Sequence, residues 1–170
     1  PKLVEKLKSI SLQNKIDFIQ LPRKNIIFGK WIQHARWWPD YNIRFFRSNK
    51  VRWTAKIHQA PITYGLGEDL APDESLAIIH YNYQDVESFI SRLNKYSTIQ
   101  ADELSSQGTT FIWTDLIRKP SEEFLSRFFA GEGYKDGLHG LALSLLQSFS
   151  ELVVYLKIWQ KEKFIDQGVS

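Results

Sequence analysis

Trp38-Pro39-Asp40-Tyr41-Asn42-Ile43-Arg44-Phe45-Phe46-Arg47, then Ser48-Asn49-Lys50, then Val51-Arg52-Trp53-Thr54-Ala55-Lys56-Ile57-His58 is the stretch whose reading governs the fold. Two runs rich in aromatic and β-branched residues flank three turn-forming ones, a pattern that predicts a β-hairpin over 41–58. Upstream, Ile16-Asp17-Phe18-Ile19-Gln20-Leu21 is another β-prone run, expected to stop at Pro22, and residues 25–29 follow as an extended piece or loop. Earlier still, Leu3, Val4, Leu7, Ile10 and Leu12 stand at near-helical spacing and predict a short amphipathic helix over 2–13.

Downstream, Gly65, Gly67, Pro72 and interspersed acids make 65–75 read as a mobile loop, and 75–81 reads as a buried strand. A helical period begins after Asp85, with Val86, Phe89, Ile90, Leu93 and Tyr96 on one face and Asp85 or Gln84 as cap. The pattern breaks at 107–110. Lys119-Pro120-Ser121 is expected to open a helix through Phe124, Leu125, Phe128 and Phe129 that ends at Gly131-Glu132-Gly133, and 138–164 reads as one long apolar helix. Strands precede helices, so the class is α+β: a mixed sheet portion with a β-hairpin, followed by C-terminal helices.

The chain has 170 residues, 43% hydrophobic and 24% charged, enough to bury a core. Its 22 basic and 19 acidic residues are spread along the length, so the net charge of +3 does not imply a nucleic-acid partner. With no Cys, disulfides, thiolate metal sites and thiol catalysis are excluded. No run reaches the roughly 20 apolar residues of a membrane span, and Pro1-Lys2-Leu3-Val4-Glu5 lacks a secretory pattern. The expectation is a chain neither exported nor membrane-spanning. Beginning at Pro1 and holding no Met, it also reads as a piece of a longer chain.

Phosphate loops, nucleophile elbows, His-Glu-x-x-His pairs and Asp-x-Asp motifs are absent from the sequence, so a site must rest on dispersed residues. Residues 29–40 concentrate Trp31, Trp37 and Trp38 with Lys30, Gln33, His34, Arg36 and Asp40. Flat rings beside donors and acceptors suit a sugar, whose C–H face stacks while its hydroxyls hydrogen-bond; the same Trp residues also suit half-buried anchors at a sheet edge. His58 and His80 end β-prone runs, where an imidazole can ligate a divalent metal, act as a base, or simply be a hydrogen-bonded structural side chain. Asp40, after Pro39, is a candidate general base or a turn-capping carboxylate. Arg23, Arg36, Arg44, Arg47 and Arg52 offer phosphate-binding forks or a solvated sheet face. The last helix carries Trp159, Lys161 and Lys163 near its end, suiting either a bilayer surface or packing on the protein body.

In order, Leu21-Pro22-Arg23-Lys24-Asn25, Gly29-Lys30-Trp31, Trp38-Pro39-Asp40 through Arg47, Lys56-Ile57-His58, Ile79-His80-Tyr81, Lys95-Tyr96, Lys119-Pro120 and Gly133-Tyr134-Lys135-Asp136-Gly137 resemble the second half of bacterial family 2 glycosyltransferases of the lipopolysaccharide-core glucosyltransferase type. The resemblance runs over essentially the whole chain. It implies a fragment of the α/β A-type glycosyltransferase fold, with 1–83 as the acceptor-side part of the catalytic domain and 84–170 as a helical extension. The activity implied is inverting transfer of a hexose from a nucleotide diphosphate sugar to a glycan, lipid-linked or protein acceptor. Nucleic acid is not a partner in this reading.

By the same resemblance, Asp40 takes the acceptor hydroxyl's proton, Arg44 holds that carboxylate or a phosphate, and Arg23, Trp31, Trp37 and Trp38 line the acceptor or donor site. His58 matches the His of a His-Glu pair and is assigned to the metal or the diphosphate, with Gln59 in place of the Glu. The cofactor implied is Mg2+ or Mn2+, held mainly by an N-terminal donor-binding half. This chain is expected to start just past that half's acidic motif, and so to be inactive alone. The implied setting is bacterial cell-envelope biosynthesis in the cytoplasm, with peripheral contact to the inner face of the membrane. The competing expectation is a stand-alone carbohydrate- or membrane-surface-binding module without catalysis.

Overall fold

Leu3, Leu7 and Ile10 share one face of the first helix, α1, Lys2–Gln13, in the computed structural model, which describes residues 2–53 and 60–165. Ile10 is buried in a cluster with Ile19, Leu21 and Leu70, against which Leu3, Leu7, Ile16, Leu76 and Ile78 pack. Ile19 and Leu21 lie on β1, Phe18–Ile27. A two-residue turn at Phe28 and Gly29, both with positive φ, joins β1 to β2, Lys30–Trp31; this is the turn geometry whose twist matches a tight hairpin. β3, Asp40–Phe46, runs antiparallel to β1.

β4, Val51–Arg52, and β5, Ile62–Thr63, make a separate two-stranded antiparallel sheet. β6, Gly67–Asp69, pairs in parallel with β1, and β7, Ile78–Tyr83, pairs with it too, so the main sheet is mixed. Along β1 and β3 the register steps from Ile19↔Phe45 to Gln20↔Ile43. Arg44 is therefore the extra residue of a β-bulge, a device that re-aims a side chain.

The residues fall into two compact units, Pro1–Asn25 with Trp37–His80, and Ile26–Arg36 with Tyr81–Ser170. The second unit is mainly helical. α2, Val86–Ser106, starts with a reciprocal capping box between Asp85 and Ser88, so of the two expected caps Asp85 takes the position. α3, Asp115–Leu125, runs into a single π-helical turn, Ser126–Ala130, and a 3-10 turn, Gly133–Asp136, before α4, Leu138–Lys161. Its core gathers Ala101, Phe111, Val154, Tyr155 and Ile158, with Leu104, Leu116 and Trp159 against them.

Several expectations need correction. Pro22 does not stop β1. The Gln20 carbonyl accepts from Leu70 N–H on the β6 side, so two residues on the Pro22 nitrogen faces that side past the last β1–β6 pair, where no donor is required. The anticipated hairpin partners also differ: β3 takes β1, and β4 takes β5; in its pairing with β1, β3 buries Ile43 across from Gln20, burial that the local turn signal does not encode. The 54–58 part of that hairpin lies outside the described residues.

The glycines of 65–75 mark close approach rather than mobility. A Cβ on Gly67 would stand 2.2 Å from the Phe18 ring, and one on Gly65 2.0 Å from the Asp17 carboxylate, with Gly65 at φ +93°. β7 is not buried on both faces: Ile79 is 59% and Tyr81 70% exposed.

In the helical unit the inward line of α2 is Phe89, Leu93, Ser97 and Ala101, so Val86, Ile90 and Tyr96 face outward. α3 starts five residues before Pro120, held by Leu116 on the core, which outweighs the one helical hydrogen bond Pro120 lacks. α4 is long and apolar enough to cross a membrane by length and composition, with mean hydropathy 1.4, contrary to the expectation of no such segment; 28% of that window is buried in the structure.

Candidate functional site

Alternation along β1 turns Ile19, Leu21, Asn25 and Ile27 inward, and Arg23 stands in the same series. Across the ladder Arg23 is the register partner of Asp40, the first residue of β3. Arg23 donates to Asp40 Oδ2 from Nε at 3.0 Å and from its terminal nitrogen at 2.6 Å, and Asn25 Nδ2 donates to the same oxygen at 2.9 Å. Among the described residues Oδ1 receives only a long contact from Asn42 Nδ2, 3.3 Å. One carboxylate oxygen is thus held by three donors, and Oδ1 keeps most of its capacity to accept a proton or a hydroxyl hydrogen bond.

Asn25 is fully buried and its amide is oriented by its partners. Both Nδ2 hydrogens are committed, to Asp40 and to the Trp37 carbonyl at 3.0 Å, so Oδ1 must accept from His80 Nδ1, 2.8 Å away. His80 consequently carries a proton on Nδ1, which makes Nε2 the lone-pair nitrogen of the neutral ring. The line Asp40, Asn25, His80 joins β3, β1 and β7 through side chains alone.

Asp40 and Arg23 line a cleft of about 770 Å3 in the first unit, together with Gln20, Asn42 and Trp53. That volume is within the range of ligand pockets, about 300–1,000 Å3. Tyr41 also borders it and donates its hydroxyl to the Leu70 carbonyl at 2.9 Å; burial, then the Asp69 charge, pushes its phenol pKa up and keeps it a donor. Arg44, the bulged residue, bonds the Ile43 carbonyl and sets its guanidinium carbon 5.9 Å from the Trp53 ring centroid.

The Trp-rich segment divides between the units: Trp37 and Trp38 belong with the Asp40 cleft's unit, Trp31 with the helices. All three rings are half-buried. In the helical unit the buried Asp136 carboxylate accepts from the N–H groups of Gln33 and His34, the shortest at 2.8 Å, and Lys30 Nζ donates to the Asp136 carbonyl at 2.8 Å. Arg36 pairs with Glu123 at 2.7 Å, and Arg127 donates to the Ala35 carbonyl at 2.9 Å. Residues 30–36 are therefore fastened within their own unit.

The structure brings together Arg23 and Asp40, with the Trp37 backbone one hydrogen bond away, and puts Arg44 on Trp53. His58 lies outside the described residues. Sequence reasoning missed Asn25, Asn42 and Trp53. The signal for Asn25 was available: a polar residue at an inward position of an alternating strand needs partners. Asn42 follows from Asp40 by the two-residue period of β3.

Compared with known proteins, the chain is similar to the lipopolysaccharide core biosynthesis glycosyltransferase LpsC of Rhizobium meliloti (strain 1021), 25% identical over 122 residues. The likeness is to a glycosyltransferase. It covers 71% of this chain but only 44% of LpsC, so the chain spans less than half of that relative. No family model matches the chain, and no solved structure matches it significantly.

Among the described residues no group of three or more His, Cys, Asp or Glu side chains converges to hold a metal ion.

Proposed function

We propose that this chain forms the acceptor side of an inverting, family 2-type hexosyltransferase of the A-type fold, acting in bacterial envelope glycan synthesis. The observation that carries the reading is the Asp40 carboxylate, held on Oδ2 by three donors at the edge of a cleft that also offers amides and an indole. Similarity to a core-biosynthesis glycosyltransferase supports the same direction.

In this mechanism an acceptor hydroxyl enters the cleft and hydrogen-bonds Asp40 Oδ1. Its oxygen attacks the anomeric carbon opposite the leaving diphosphate, so one C–O bond forms as the other breaks and the configuration inverts. The hydroxyl proton passes to Asp40. Arg23 and Asn25 hold the carboxylate in one orientation throughout, which removes the entropy of aligning the base. The nucleotide-sugar donor and its Mg2+ or Mn2+ are assigned to groups outside the described residues. Trp37 and Trp38 are assigned to the walls around the acceptor, and Arg44 to its far end.

Peripheral attachment at the cytoplasmic membrane face is part of the proposal. Leu138, Leu145 and Phe149 of α4 are exposed apolar groups suited to it.

The test is nucleotide-sugar turnover by a longer chain that includes the donor-binding part, beside this chain alone. Asp40→Asn should lower kcat by about 10²–10⁴-fold, the usual contribution of a general base, with donor binding unchanged. Full activity of that variant would remove Asp40 from the chemistry. Retention rather than inversion of the anomeric configuration would overturn the mechanism.

A further inference from the structure

Trp53 is 53% exposed although an indole is among the largest apolar surfaces a side chain can present. It borders the same cleft as Asp40, Asn42 and Gln20. The bulge that makes Arg44 the unpaired residue of β3 is what sets a guanidinium near this ring, 5.9 Å from its centroid, and a cation at an aromatic face restrains the ring's orientation. Arg23, by contrast, commits Nε and a terminal nitrogen to Asp40, so that ion pair is charge-balanced and what it leaves toward a ligand is a carboxylate oxygen beside amides. An ordered ring beside a balanced set of carboxylate and amide groups suits an uncharged ligand with one apolar face and several hydroxyls.

We infer that Trp53 is the stacking platform for a neutral hexopyranose whose hydroxyls are taken by Asp40 Oδ1 and Asn42, and that Trp31, Trp37 and Trp38 do not fill that role. Resting on the acceptor-cleft reading, the inference names the class of sugar and the residue that selects it. Arg44 acts here as a positioning residue for the ring. A nucleobase could also stack on an indole, but it would leave the carboxylate and amide set with few hydroxyls to bind.

The experiment follows the backbone, side-chain amide and indole N–H resonances of this chain during titration with methyl α-glucopyranoside, methyl β-galactopyranoside, glucose 1-phosphate and uridine. The expected result is that a methyl glycoside shifts the Trp53 indole together with the Asn42 and Gln20 amides. Trp53→Ala should weaken binding about tenfold, equivalent to about 1.4 kcal/mol, while Trp53→Tyr, which keeps a ring, stays within about threefold. Trp113→Phe, in the helical unit, should leave the affinity unchanged.

If glycosides shift Asn42 and Gln20 equally in wild type and Trp53→Ala, the Trp53 assignment fails and the acceptor-cleft reading stands. If no saccharide perturbs the cleft, both fail. Tighter binding of glucose 1-phosphate than of the methyl glycosides would overturn the neutral-ligand claim in favour of a phosphate held by Arg44, and uridine alone shifting Trp53 would make the platform a base site. Amide dispersion of Trp53→Ala checks that the variant is folded, and Trp53→Tyr keeps the test open if it is not.

Discussion

Arg23 and Asp40 face one another as register partners of β1 and β3, and the same two residues close an ion pair of 2.6 Å. Backbone register and side-chain electrostatics therefore specify the same alignment. A one-residue slip would lose the ion pair and turn Ile43 away from the side on which it is buried.

The pair is partly solvated, with side-chain exposures of 22% and 26%, so its energetic contribution is modest. A double-mutant cycle of Arg23→Ala and Asp40→Ala should give a coupling energy of about 0.5–1 kcal/mol by urea unfolding, falling with added salt. A coupling of zero would mean that the ladder alone sets the register.

Asn25 has a larger structural role because it is fully buried and bonded on three sides. Asn25→Ala should cost about 1–3 kcal/mol through the groups left unpaired. Asn25→Asp should be worse at neutral pH, where a second carboxylate would face Asp40, and milder under acid. In wild type, nitrogen shifts of the neutral His80 ring should report the Nδ1–H tautomer; the opposite tautomer would contradict the amide orientation.

Gly67 lies against Phe18 so closely that a methyl group must displace the ring. Gly67→Ala should destabilise by about 1–3 kcal/mol, as overpacking does, and Phe18→Leu in the same chain should recover part of the loss. A neutral Gly67→Ala would show that β6 can move away from β1 without cost.

In the helical unit burial pushes the Glu151 carboxyl pKa up; a Gln100 hydrogen bond opposes this, Glu123 adds to it, and Lys119 and Arg127 oppose it. The folded state thus holds this proton more tightly than the unfolded chain. The resulting stability is complete below the ordinary Glu value of about 4.3 and is lost as pH rises through the higher folded value. Glu151→Gln mimics the protonated form, so its melting temperature should exceed wild type at pH 7 and converge with it under acid. A difference independent of pH would exclude this origin.

Helices were the more legible part of the sequence. α1 and α4 follow from apolar spacing, and the start of α2 from the capping choice of Asp85 or Gln84, because those signals act within one or two turns. The inward face of α2 was harder to read, since Ser97 and Ala101 carry little hydropathy yet occupy the buried line. The start of α3 was misplaced because Pro120 is a strong local signal that packing by Leu116 overrides. Within the candidate site, Asp40 and Arg23 could be named from the chain and Asn42 follows from Asp40 once β3 is placed, but Trp53 has no distinguishing neighbours in sequence.

The amino-acid sequence by itself determined the supply of groups: which segments can be helical, where caps fall, and that aromatic, amide and carboxylate side chains are concentrated around residues 20–53. Tertiary structure alone decided which of these meet. Asn25 and His80 are 55 residues apart and bond at 2.8 Å; Gln20 and Asp69 are 49 apart and do the same. Such contacts need heavy atoms within about 3 Å, and local propensity cannot supply that placement. It comes from β1 pairing with β3, β6 and β7, a choice made by burying Ile19, Leu21, Ile43 and Leu70 rather than by any turn signal.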